Sequence, residues 1–169
     1  MPEMVLDTEI YPRIIKLSEC LAEKLNEAAV GDYVLVISPE GAVVMDYCGG
    51  DDCGQQAWIR IVDAGPYDEF PDPPEGPVTC LLPIMYQIEV GFAHCAPQAD
   101  GRGNPPTVEA QLAAFQKQTV AMTAIRRAIQ CCMKNDDAPF QLGAYQPLGD
   151  EGGVCLMAVW TFIVGDRRF

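Results

Sequence analysis

Apolar residues recur along this chain with two different periods, which together predict two helices and several strands. A spacing of three to four residues predicts helices over 8–29 and 107–133, the second capped by Thr107. Alternating or continuous apolar runs predict strands at 33–38, 42–47, 56–63, 84–93, 142–146 and 154–164, the first two forming a hairpin. The order is therefore helix, hairpin, strand, long loop, strand, helix, strand, strand.

The periodic positions identify the expected core. The first helix presents Ile10, Ile14, Leu17, Leu21 and Leu25, and the second presents Val108, Leu112, Phe115, Met122, Ile125 and Ile129. The strand at 84–93 has Gln87 and Glu89 on its polar face, so we expect that face to be wet or interfacial. The strand at 154–164 is apolar on both faces, which indicates a central position or burial by a partner.

Residues 64–77 interrupt this pattern with five prolines, whose backbone cannot donate to a sheet. They predict an extended loop or arm, which is either a plain surface loop or, as the aromatic residues Tyr67 and Phe70 indicate, a segment that docks on a partner. The absence of an internal repeat or boundary predicts one domain over residues 1–169. Its class is α+β: a mainly antiparallel β-sheet flanked by two α-helices, with a long Pro-rich loop or arm.

The net charge of the chain bears on its function more than on its fold. Lys and Arg number 11 against 24 Asp and Glu, so the formal net charge is −13. A nucleic-acid reader needs a basic face, and this composition argues against one. Eight acidic residues and a single base, Arg60, lie between Asp46 and Glu75. They form either a solubilising surface or a surface with a more specific electrostatic role.

The eight cysteines and one histidine are the candidate metal-binding or catalytic residues. The N-terminal residues lack the pattern of a secretory signal, and no apolar run is long enough for a membrane span, so we expect a protein folded in a cytoplasm. Most cysteines then act as small buried apolar residues. Cys48 and Cys53 are the sharper possibility, as half a zinc site or a short disulfide loop. His94 is expected to be structural, and we expect no cofactor, metal or catalytic residue.

Four segments resemble small virion-assembly proteins of long-tailed phages that infect actinobacteria. They are CGQQAWIRIVDAGPYDEFP (53–71), IEVGFAHCAPQADGRGNPP (88–106), AIRRAIQCC (124–132) and YQPLGDEGGVCLMAVWTFIV (145–164). The chain is most similar to tail terminator proteins, with head-to-tail connector proteins next, over about residues 10–165.

The resemblance implies a homo-oligomeric ring, usually of six copies, located in the virion. Such a ring sits on the last ring of the tail tube, stops tube growth and meets the head-completion protein while genomic DNA passes through its lumen. The family offers no catalytic residues. The residues that match its strands, and that we expect in sheet or core roles, are Trp58, Arg60, Tyr86, Trp160 and Phe162.

Two sets of residues are the candidate contact sites of such a ring. The interface candidates are Tyr67, Asp68, Glu69, Phe70, Arg167, Arg168 and Phe169. Asp51 and Asp52 are the lumen candidates, because an acidic lumen lets DNA pass without binding. The alternatives are a connector or stopper of the phage neck, and a small metal-binding protein or enzyme that uses Cys48, Cys53 and His94.

Overall fold

A five-stranded mixed sheet carries two helices on one of its faces. The structure is a computed structural model, and it describes residues 10–38, 54–66, 84–133, 140–149 and 155–165. The elements are α1 (Ile10–Glu27), β1 (Val34–Ser38), β2 (Gln56–Pro66), β3 (Ile84–Cys95), α2 (Val108–Met133), β4 (Phe140–Gly149) and β5 (Cys155–Gly165). The strand order is β1-β2-β3-β5-β4. Only β1 and β2 pair in parallel, so the predicted α+β class with a mainly antiparallel sheet is confirmed.

The predicted boundary between the third strand and the Pro-rich loop is wrong. Ala64 and Pro66 pair with Tyr86 and Ile84, so residues 64–66 belong to β2. The partner strand extends far enough to continue the ladder, and Pro66 is tolerated because it is the last residue of β2. The rest of the loop, 67–77, and the predicted strand at 42–47 lie outside the described residues.

The core lies between the helices and one sheet face. All five apolar positions predicted for the first helix are buried. They meet the sheet residues Ala57, Ile59, Ile88, Val90, Phe92, Ala158, Phe162 and Val164. The buried Arg13 guanidinium donates from Nη1 to the carbonyl oxygen of Gly165, which joins α1 to the end of β5. The prediction of a central final strand is also confirmed, since β5 lies between β3 and β4.

Trp58 organises the sheet face that is opposite the helices. Its ring packs against Gly91, its partner on β3, and Val159 and Ala93 complete a small buried cluster. The Trp58 Nε1 donates to Glu89 Oε1 over 2.8 Å. Arg60 donates to both Glu89 carboxylate oxygens over 2.8 and 2.9 Å, a bidentate geometry that fixes all three side chains. The predicted sheet roles of Trp58 and Arg60 are confirmed.

Disulfide bonding corrects the expectation that most cysteines act as buried thiols. Cys20 on α1 and Cys132 on α2 form a disulfide with a Cα–Cα distance of 6.5 Å, which suits the geometry of such a bond. Cys95 and Cys155 are disulfide-bonded as well. Cys131 is a free, exposed cysteine. Cys48 and Cys53 lie outside the described residues.

The close approach of Trp58 to Gly91 predicts that Gly91→Ala is strongly destabilising. A Cβ atom at this position would overlap the buried indole ring, which has no free space to move into. We expect the free energy of unfolding to fall by about 2–4 kcal/mol in urea denaturation. Gly101→Ala is the control, because no heavy atom lies within 4 Å of its Cβ position. Equal losses in the two variants would contradict this packing.

The Cys20–Cys132 disulfide predicts that Cys132→Ala lowers the free energy of unfolding by about 3–5 kcal/mol. The bond joins residues 112 positions apart, so it removes much of the chain entropy of the unfolded state. The neighbouring Cys131→Ala is the control, because that thiol is free and exposed. The two variants are compared by urea unfolding without reductant. A stability loss no larger in Cys132→Ala than in Cys131→Ala would contradict a stabilising bond.

Candidate interaction surface

The residues that the sequence marked as contact sites fall outside the part of the chain that the structure describes. These are the lumen candidates Asp51 and Asp52 and the interface candidates Tyr67, Asp68, Glu69, Phe70, Arg167, Arg168 and Phe169. The described residues offer a different surface, which lies at the beginning of α2.

The described residues of the protein cover helix α2 mainly in its second half. It has 26 residues, about 39 Å of helix, and its buried residues begin at Ala121. Gln118 Nε2 donates to the Met157 carbonyl over 3.0 Å, and Trp160 Nε1 donates to the Met122 carbonyl over 3.1 Å. These bonds join this half of the helix to β5. The preceding residues 108–116, here called the α2 overhang, are exposed except for the half-buried Ala114.

Three large apolar side chains stand on the α2 overhang. Val108, Leu112 and Phe115 are between 62% and 67% exposed, and their spacing places them on one side of the helix. We call these three residues the apolar stripe. The prediction that these three residues face the core is wrong, because the buried residues of α2 begin only at Ala121; Ile125 and Ile129, predicted with them, are buried. Exposed apolar side chains that share one side of a helix make the stripe a candidate interaction surface.

The start of the overhang is held by local hydrogen bonds. Thr107 Oγ1 accepts from the Ala110 amide over 3.2 Å, which confirms the predicted cap. The preceding turn is closed by Asp100, whose carboxylate accepts from the amides of Arg102 and Asn104 over 2.9 Å each. The hydrogen bonds from Asn104 and then from Arg102 lower the pKa of Asp100. The overhang is therefore a capped, preformed helix.

A groove of about 360 Å³ lies beneath the overhang, on the side away from the stripe. One wall is formed by Ala110, Ala113 and Ala114 of α2, and the other by Ala96 and Pro97 after β3. Its polar lining residues are Gln55, His94 and Lys117. The groove is thus a narrow, mostly apolar channel with three polar groups.

His94 is the buried polar group of this groove. Its Nδ1 donates to the Cys95 carbonyl oxygen over 3.1 Å, so Nδ1 carries the proton and Nε2 presents a lone pair. Nε2 is buried and has no hydrogen-bond partner among the described residues. Burial is the main cause that lowers the pKa of His94, and the positive charge of Lys117 lowers it further. The ring is therefore neutral at pH 7.

Two searches of the described residues concern metal clusters and membrane-spanning helices. No group of three or more His, Cys, Asp or Glu side chains in these ranges is arranged to hold a metal ion. None of the described helices is long and apolar enough to cross a membrane.

The neutral His94 predicts a stability that depends on pH. Its pKa lies below the ordinary 6.5, so between these two values the unfolded chain binds a proton that the folded chain does not. The free energy of unfolding therefore falls as the pH drops through this window, and the loss is complete below the lowered pKa. An NMR titration of the single histidine measures the pKa, and urea unfolding measures the stability. His94→Leu removes this slope, and a pKa at or above 6.5 would contradict the prediction.

Comparison with known proteins gives matches among the solved structures. No protein-family model matches the chain, and no curated protein matches it. The fold is similar to a cryo-EM structure described as the sheath/tube terminator of an extracellular contractile injection system, PVC, in the extended state. The two chains are 13% identical with a TM-score of 0.29, and the match covers 90% of this chain. It covers 56% of that chain, so this protein spans just over half of its length.

Proposed function

We propose that this protein is a structural virion protein without catalytic activity, which caps the end of a phage tail tube as an oligomeric ring. In this role it joins the tail to the head, and DNA passes through the lumen of the ring. The resemblance of the segments at 53–71, 88–106, 124–132 and 145–164 to tail terminator proteins supports the family. The apolar stripe of the α2 overhang is the observation that supports self-assembly.

The apolar stripe is costly to leave in water. Burying one large aliphatic or aromatic side chain contributes about 1.5–3 kcal/mol, and all three side chains are mostly exposed in the single chain. The overhang is a preformed, capped helix, so docking it costs little conformational entropy. A partner that covers the stripe therefore gains several kcal/mol from these residues alone.

Charge indicates that this partner is a second copy of the chain. Residues 96–133 contain four of the 11 basic residues and two of the 24 acidic residues, a net charge of +2. Because the whole chain carries −13, the remainder carries −15. The α2 region of one copy is thus attracted to the remainder of another, whereas two α2 regions repel each other. A head-to-tail contact of this kind closes into a ring when the rotation between neighbouring copies returns to the first copy.

Capping in this proposal is steric. One face of the ring complements the end of the tail tube, and the opposite face lacks the surface on which the next tube ring would assemble. The head-completion protein binds that opposite face. The negative net charge of the protein keeps DNA from binding to the wall of the lumen. Asp51 and Asp52 are the residues predicted to line the lumen, and residues 67–70 and 167–169 are the predicted interface residues. A pull-down separates this role from that of a neck connector, since a terminator binds tube protein and a connector binds portal or adaptor.

The self-assembly proposal predicts that Leu112→Ser/Phe115→Ser yields a monomer. Both side chains are exposed in the single chain, so the free energy of unfolding should change by no more than about 1 kcal/mol. Light scattering after size-exclusion chromatography measures the mass, and electron microscopy shows whether the wild-type protein forms rings.

Gln116→Ser is the matched control, because it places the same residue type next to Phe115 but outside the stripe. This control should assemble like the wild-type protein. A stripe variant that assembles normally would remove the stripe from the interface. A wild-type protein that stays monomeric alone and with tube protein would contradict the ring itself.

A further inference from the structure

We propose that the apolar stripe of one copy docks on an exposed apolar patch of the neighbouring copy, formed by Ile37 of β1 and by Ile61 and Val62 of β2. We call these three residues the strand patch. The inference rests on the proposed ring, and it names the surface that receives the stripe. The three side chains are between 40% and 45% exposed, so the strand patch, like the stripe, offers apolar surface to a partner.

The strand patch begins where the cover of the two helices ends along β2. Ile59 faces the helices and is fully buried, whereas Ile61, the next residue on the same side of the sheet, is 40% exposed. Ile37 pairs with Ile59 on the adjacent strand, so it is a diagonal neighbour of Ile61. The ladder between β2 and β3 shifts its register between Ile61 and Asp63, which places Val62 in a bulge beside them. The strand patch is therefore a group of neighbouring apolar residues at the rim of the core.

The stripe and the strand patch lie at different places along the sheet. The groove beneath the α2 overhang is lined by Gln55, the residue that precedes β2. Ile61 is six residues farther along the chain, which is about 20 Å of extended strand. When a stripe docks on the patch of a neighbour, each copy contributes two different surfaces and can bind one copy on either side. Contacts between unlike surfaces are the kind that generates rings.

Charge favours this pairing over a contact between two stripes. Asp63 is exposed and directly follows Val62, while the charge of the nearby Arg60 is paired with Glu89. Ile61 and Val62 also lie in the stretch of the chain that has eight acidic residues and one base. The region that carries the stripe, residues 96–133, has a net charge of +2. The stripe region and the patch region therefore attract each other, whereas two stripe regions repel each other.

A mixture of two assembly-defective variants tests this pairing directly. Leu112→Ser/Phe115→Ser lacks the stripe and keeps the strand patch, whereas Ile61→Asp keeps the stripe and places a charge in the patch. Each variant alone should be monomeric. An equimolar mixture should form dimers that contain one copy of each variant, because the intact stripe of one copy docks on the intact patch of the other and no second intact pair remains. Sedimentation measures the mass, and circular dichroism verifies that both variants fold.

Leu148→Asp is the matched control for Ile61→Asp. Leu148 is a β4 residue outside the strand patch with nearly the same exposure, 43%, and both variants change the net charge equally. Ile61→Asp should raise the dissociation constant of assembly about 10–100-fold more than Leu148→Asp does, which corresponds to the burial of one large aliphatic side chain. Ile61→Ser, which adds no charge, should weaken assembly in the same direction.

The outcomes separate the docking surface from the ring. A mixture that stays monomeric, or an Ile61→Asp variant that assembles as well as Leu148→Asp, overturns the strand patch as the receiving surface and leaves the ring standing. A wild-type protein that never assembles overturns both. Mixed dimers, together with selective weakening of assembly by Ile61→Asp, support the proposal.

Discussion

The arrangement of this protein depends on two helices that share one face of a single five-stranded sheet. Helix α1 uses its whole apolar side for this packing, and the Cys20–Cys132 disulfide holds α2 beside it. The buried residues of α2 begin at Ala121, and this part of the helix packs against the sheet. The first nine residues of α2 therefore extend beyond the cover of the sheet, and within the described part of the chain their apolar side chains remain mostly exposed.

That geometry leaves two different surfaces on one helical segment. The outward side carries the apolar stripe, and the inward side forms a groove with buried acceptors and one lysine. The surrounding region is the least acidic part of a strongly acidic chain. The apolar stripe attracts a partner, whereas the net positive charge around it repels the same region of another copy. Together these two effects favour head-to-tail contacts over symmetric pairs. Those are the contacts that a closed ring requires.

The sequence predicted much of the fold because local periodicity reports burial faithfully when an element is covered along its whole length. This holds for α1, for β3 and for the central β5. It fails for Leu112 and Phe115, because periodicity identifies a side of a helix and not how far the sheet reaches. Ala110, Ala113 and Ala114 could have indicated which side of the helix faces the protein. They continue the row of alanines that packs farther along α2. The Cys20–Cys132 pair and the parallel partner of β1 depend on tertiary contacts that no local pattern contains.

Hydrogen exchange of the backbone amides at 108–118, compared between dilute monomer and assembled protein, tests most directly whether the α2 overhang is the assembly surface. The overhang is an exposed helix in the single chain, so its amides should exchange rapidly there. Covering by a neighbouring copy should slow them, while the amides of α1, already buried, change little. Assembled rings in which residues 108–118 exchange as fast as in the monomer would contradict the account.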